Sequence, residues 1–184
     1  MNLLQLDARW RRFTDPDFRS PIDGRGFSGL YDLGFEAPDD WPHATPEGDA
    51  VVEVGQHRLA SELCRIGEHR YLRCVIPLAL RGAGDEVFWF APWAEVASAD
   101  FYAFLDSLDS GAPFAGCTAR LANALPGFGD ALEGRLLGGE DGERPRFQPD
   151  GGPLAEAVAE GLSFDTLLDI YAAAGDDIRP HLGR

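Results

Sequence analysis

Lysine is absent: all 16 basic residues among the 184 are arginine. With 22 glycines and abundant alanine, that choice points to a GC-rich coding sequence and removes the residue that phosphate-binding loops place on a nucleotide. Neither GxxxxGK[ST] nor GxGxxG spacing occurs; Gly127-Phe128-Gly129-Asp130 and Gly138-Gly139-Glu140-Asp141-Gly142 read as turns. Asp141-Gly142-Glu143-Arg144 is too short for an EF-hand loop. No run of 18 apolar residues occurs, so the sequence predicts no membrane-spanning helix. Met1–Leu6 is followed at once by Asp7 and Arg9, without a basic leader or an apolar signal run, which makes the cytoplasm the expected compartment.

Cysteine is scarce. Cys64, Cys74 and Cys117 are odd in number, show no CxxC spacing and sit in apolar stretches, as reduced core thiols do. Cys64 and Cys74 fall on the two strands of one expected hairpin, where a bridge is geometrically open but not favoured.

Basic charge is also scarce, with 31 acidic residues against the 16 arginines and a formal net charge of −15. That sign repels phosphate backbones and anionic lipid, which argues against nucleic-acid or membrane partners. It leaves a basic protein partner as the functional expectation, beside the plainer one of a solvated surface. No motif specifies an oligomeric state.

What is present is apolar material: 45% hydrophobic residues, with twelve Phe and four Trp. A chain of this length buries roughly 70% of its unfolded surface and needs no disulfide or metal staple. The pattern predicts a single α+β domain over 1–184: an N-terminal helix over 1–15, an ordered loop region over 16–58, sheet and helices over 59–174, and a tail over 175–184. The expected core is an antiparallel sheet of about five strands, with helices packed mainly on one face.

Leu3, Leu6, Trp10 and Phe13 share one helical face, closed by Asp15-Pro16. Short extended pieces are expected near Leu30–Phe35 and Ala50–Val54. Leu59–Ile66, Tyr71–Leu80 and Glu86–Trp93 read as a three-stranded meander, turning at Gly67–Arg70 and Gly82–Asp85. Ser98 is the expected N-cap of a helix carrying Phe101, Phe104, Leu105 and Leu108 on one face and ending at Gly111. Thr118–Leu125 and Ala131–Leu137 form a further strand pair, and Arg144–Gln148 a short edge strand. Two helices close the chain over 153–173, one with Pro153 in its first turn and one capped by Ser163.

The order of several short motifs resembles a bacterial family known as domain of unknown function 2199. They are Leu33-Gly-Phe-Glu-Ala-Pro-Asp-Asp-Trp41, then Ser61-Glu-Leu-Cys-Arg-Ile66 with His69, Tyr71, Arg73 and Ile76-Pro77. Phe88-Trp-Phe-Ala-Pro-Trp93, Leu125-Pro-Gly-Phe128 and Gly161-Leu-Ser-Phe164 follow. The likeness spans roughly residues 20 to 174 and implies a fold but no activity. Many members look as though they begin with CxxCGxxH, ligands suited to a small zinc knuckle. Here the two Cys positions are Ser20 and Asp23 and the His position is Phe27, so the resemblance implies a metal-free loop with Phe27 packed in place of an ion.

No catalytic constellation stands out. His43, His57, His69 and His181 lie in separate segments. An enzyme would have to bring His57 or His69 to Cys74 and to a carboxylate of the loop near residues 30–45. Asp39-Asp40, Asp176-Asp177 and Glu140-Asp141 read as solvated charge in turns. The aromatic strand Phe88–Trp93 is either a core strand covered on both faces or, with Trp41, Trp89 and Trp93, the lining of a ligand or peptide groove. These observations lead to a non-catalytic binding, interaction or regulatory module without cofactor or metal, with a small His/Cys/carboxylate enzyme as the alternative.

Overall fold

A computed structural model describes residues 3–139 and 142–183. It is a mixed α+β structure with antiparallel pairing and several helices. Glu140-Asp141, predicted as part of a polar turn, lies outside the described residues. The chain groups into two compact units interleaved in sequence. One comprises Met1–Asp32, Pro77–Trp89 and Glu156–Arg184; the other comprises Leu33–Ile76 and Phe90–Ala155.

The second unit holds a sheet of eight strands, not about five. They are β2 (Val52–Val54), β3 (His57–Leu59), β4 (Leu63–Ile66), β5 (His69–Arg73), β8 (Trp93–Val96), β9 (Cys117–Leu121), β10 (Glu133–Leu137) and β11 (Arg146–Pro149). Their order is β11-β10-β9-β8-β5-β4-β3-β2, and every adjacent pair is antiparallel. A three-stranded sheet is formed by β1 (Leu33–Gly34), β7 (Val87–Ala91) and β6 (Ile76–Ala79), with β1 parallel to β7.

The extra strands come from runs that backbone hydrogen bonding divides. Leu59–Ile66 breaks at Ala60-Ser61-Glu62, where the Ala60 amide donates to the Leu63 carbonyl in a turn. Tyr71–Leu80 breaks after Arg73: the Cys74 amide donates to Pro92, and the Val75 amide to Pro145. Glu86–Trp93 breaks at Pro92, which has no amide hydrogen for a ladder. The expected meander is therefore corrected. β4 and β5 form a hairpin as read, but the strand beside β5 is β8, and β7 lies in the other sheet. The hairpin turn is only two residues long, because Ile66 pairs directly with His69. Gly67 occupies its first position at φ 56°, a conformation a Cβ disfavours.

Side chains alternate across a strand, so the sheet has two distinct faces. On one, α2 (Ser98–Ser110) packs against β5, and Phe101 and Phe104 are buried. Leu72, Ala94, Val96, Ala119 and Leu121 are buried on that face by register. The other face carries Leu59, Cys64, Tyr71 and Trp93, which form one core cluster with Trp41. The Ala97 backbone, not Ser98, caps α2, and no side chain bonds there; Gly111 ends the helix in the left-handed conformation as expected.

In the first unit, α1 (Ala8–Thr14) is capped by Asp7 and buries Trp10 and Phe13. Leu3 and Leu6 instead lie exposed in a separate 3-10 turn, so the expected face is only half buried. Ser163 caps α4 (Phe164–Ala173), its Oγ accepting from the Thr166 amide at 3.1 Å. α3 (Gly152–Glu160) and α5 (Arg179–Leu182) complete the helices of the described residues. No helix among them is long and apolar enough to cross a membrane.

Candidate functional site

Three strands of the eight-stranded sheet place arginines side by side. Arg58 on β3 stands opposite Arg65 on β4, and Arg65 stands opposite Arg70 on β5. Directly opposed residues share a face, and neighbouring strands lie about 4.8 Å apart, so three guanidinium stems form a row. Like charges so placed repel, and the three are compensated unequally. Arg58 is exposed and pairs with Glu53 at 3.0 Å. Arg70 is buried, and its Nη1 donates to the Gly67 and His69 carbonyls, at 2.8 and 3.1 Å. Arg65 has no ion pair among the described residues. Among the described residues, the Nε atoms of Arg65 and Arg70, like that of Arg73, are buried without a hydrogen-bond partner.

The row opens into a cavity of about 350 Å³ whose far wall is the edge of α2, with Phe101, Tyr102 and Leu105. Tyr102 is 48% exposed at its rim. The lining joins an apolar, aromatic wall to uncompensated positive charge, an arrangement typical of small-molecule pockets. Sequence reasoning missed this site. Its signal was four of the 16 arginines falling within residues 58–73 of an acidic chain, with Arg65 and Arg70 nearly symmetric about the Gly67 turn.

The opposite face holds polar groups of another kind. Glu95 accepts from Arg120 Nη2 at 2.6 Å and pairs with His69 Nδ1 at 2.6 Å. Burial would raise its carboxyl, but those two partners outweigh it and hold Glu95 below the ordinary range. Nearby, Asp39 accepts from Asn123 Nδ2 and from the Ala124 amide, both at 2.8 Å, so it organises a loop and is not simply solvated. These residues, with Asp40 and Asp130, border a smaller cleft of about 210 Å³.

The tryptophans considered for a groove are distributed differently. Trp93 is fully buried, its Nε1 donating to the Phe35 carbonyl at 3.0 Å, and Trp41 is 8% exposed in the same core cluster. Both indoles are covered, so the pair are core anchors. Trp89, in the other unit, is half-buried, and its backbone amide donates to Asp32. Sequence alternation could not separate these cases because it does not show what covers each face.

The residues of the alternative enzyme are not assembled either. His57 Nδ1 meets His43 Nε2 at 2.9 Å, beside Trp41. His69 meets Glu95, and Cys74 Sγ donates to the Pro92 carbonyl at 3.5 Å. All three thiols are buried and free. Burial pushes Cys64 up to about 12, Cys117 up to about 11, and Cys74 upward as well, which disfavours the nucleophilic thiolate.

In the first unit, the loop likened to a zinc knuckle is filled by protein. Phe27 is buried against Phe13, Phe18 and the His181 ring, with the Arg25 guanidinium over its face at 5.0 Å. Ser20 Oγ lies 3.0 Å and Asp23 Oδ1 3.4 Å from His181 Nδ1. Among the described residues no group of three or more His, Cys, Asp or Glu side chains could hold a metal ion. Asp176, read as solvated, instead takes Arg25 end-on at 2.6 and 2.7 Å and the Tyr31 hydroxyl at 2.8 Å.

The motifs that carry the resemblance fall on these elements in order, and a family model described as "Uncharacterized protein conserved in bacteria (DUF2199)" matches residues 23–162. The chain belongs to this family. No curated protein and no solved structure matches it. In this DUF2199 chain the matched span contains the whole arginine row and the α2 wall of the cavity.

Proposed function

We propose that this DUF2199 protein is a non-catalytic binding module whose ligand enters the cavity between α2 and the β3–β5 edge of the sheet. One observation carries the reading: two opposed arginines, neither with an ion pair among the described residues, line a pocket that also offers an aromatic wall. No thiolate or general base lines the cavity to do chemistry on what it holds: Cys64 borders it, but burial keeps that thiol protonated. The three unpaired thiols fit a reducing compartment, and we place the protein in the cytoplasm.

The test is a screen of small fragments against the ¹⁵N-labelled protein. Fragments that bind are expected to shift amides of β4, β5 and the first turns of α2 together. A folded protein in which no fragment moves those amides would contradict the reading.

A second reading keeps the acidic surface as a contact for a basic protein partner. It is favoured by the cleft where the exposed Asp40 and Asp130 have no hydrogen bond or ion pair among the described residues. Capture of a basic partner at low salt and its release at high salt would support it. Recovery of nothing above control at either salt would contradict it.

A further inference from the structure

We infer that the ligand of this cavity is a small amphipathic oxyanion, a carboxylate or phosphate head carried on an apolar, preferably aromatic, body. The inference rests on the binding-module reading and adds the chemical class.

In a chain of net charge −15, a cationic side chain has carboxylates available in excess, and several arginines here take one: Arg9, Arg25, Arg120, Arg144 and Arg179 all form ion pairs. Arg65 and Arg70 do not, although they are adjacent and repel each other. Arg70 is more than nine-tenths buried and lines the cavity, and the half-buried Arg65 lines it from the next strand. Arg65 and Arg70 occupy directly opposed positions on adjacent strands, from which two guanidinium groups can both donate to the oxygens of one oxyanion. Arg58 is already held by Glu53 at the exposed end, so the head group belongs over Arg65 and Arg70. The rest of the pocket is apolar. Phe101, Tyr102 and Leu105 offer a wall against which a ring or branched chain can lie, and the volume suits a small molecule better than a free inorganic ion. Lysine is absent from the chain, so the cation that meets the head group is arginine, whose planar fork suits a carboxylate or phosphate.

The experiment uses three probes on the intact chain, read by calorimetry: phenyl phosphate, 3-phenylpropanoate, and uncharged 3-phenylpropanamide. At least one anion is expected to bind about tenfold or more tightly than the amide, with affinity falling as salt rises. The stronger anion distinguishes a phosphate head from a carboxylate head. Arg65→Gln should weaken the anions about tenfold and the uncharged amide much less. Tyr102→Ala, at an exposed position where folding is secure, should weaken all three. Equal binding of the amide and the anions would overturn the oxyanion class while leaving a ligand cavity standing. No binding by any probe, to a protein whose β4 and α2 amides do respond to fragments, would also overturn it. Silence from the fragments as well would remove the underlying reading.

Discussion

Arg65 stands directly across the β4–β5 ladder from Arg70, and neither has an ion pair among the described residues. An opposed like-charge pair costs a sheet about 0.2–1 kcal/mol. The strongest account of that cost is a function for the pair, and several outcomes follow from it and from the packing around it.

Arg65→Gln should raise the stability of the free protein at low ionic strength, by about 0.5 kcal/mol. The gain should shrink as salt screens the repulsion. Thermal melts of both chains across a salt series measure this, and a variant less stable than the parent at every salt concentration would contradict it.

The Asp176 cluster should give one unit an acid-sensitive contribution. The Arg25 guanidinium, and the Tyr31 hydroxyl behind it, hold the Asp176 carboxyl below its ordinary value despite partial burial. A carboxyl depressed in the folded state stabilises above its unfolded pKa, about 3.9, and that contribution is lost as pH falls through the folded value. Asp176→Asn should therefore destabilise by about 1 kcal/mol at neutral pH, a modest figure because the pair is partly exposed. The gap should close below about pH 4. A gap that stays constant from neutral pH to acid would show the carboxylate charge to be irrelevant.

The thiols should be inert in the folded chain. Burial raises all three, and Cys74 is wholly enclosed with its Sγ directed at the Pro92 carbonyl. Iodoacetamide near neutral pH should label the native protein far more slowly than the unfolded one. Rapid labelling of Cys74 would revive a nucleophilic role.

Phe27→Ala should cost about 3–5 kcal/mol, the loss of a buried ring from a cluster with Phe13, Phe18 and His181. Denaturant unfolding measures it. A cost below about 1 kcal/mol would show that the loop is not held by its aromatic side chain.

Sequence periodicity revealed most of the elements and fewer of their neighbours. The Phe101-Phe104 face of α2, the Ser163 cap and the β4–β5 hairpin follow from local rules and stand as read. The strand count does not, because Pro92 and the Ala60–Glu62 turn divide runs whose apolar pattern is continuous. Trp93 next to Pro92 looks the same in sequence whether it lines a groove or, as here, donates to Phe35 in the core. The arginine row was hardest to see. Arg58, Arg65 and Arg70 are each unremarkable on their own strand, and only the register of three strands makes them neighbours.

The most direct test of the ligand cavity is a titration of phenyl phosphate into the ¹⁵N-labelled protein, with the arginine Nε–Hε resonances followed beside the amides. The account predicts saturable shifts of the Arg65 and Arg70 Nε signals together with the Tyr102 amide. Shifts scattered over other arginines, with Arg65 and Arg70 unmoved, would contradict it.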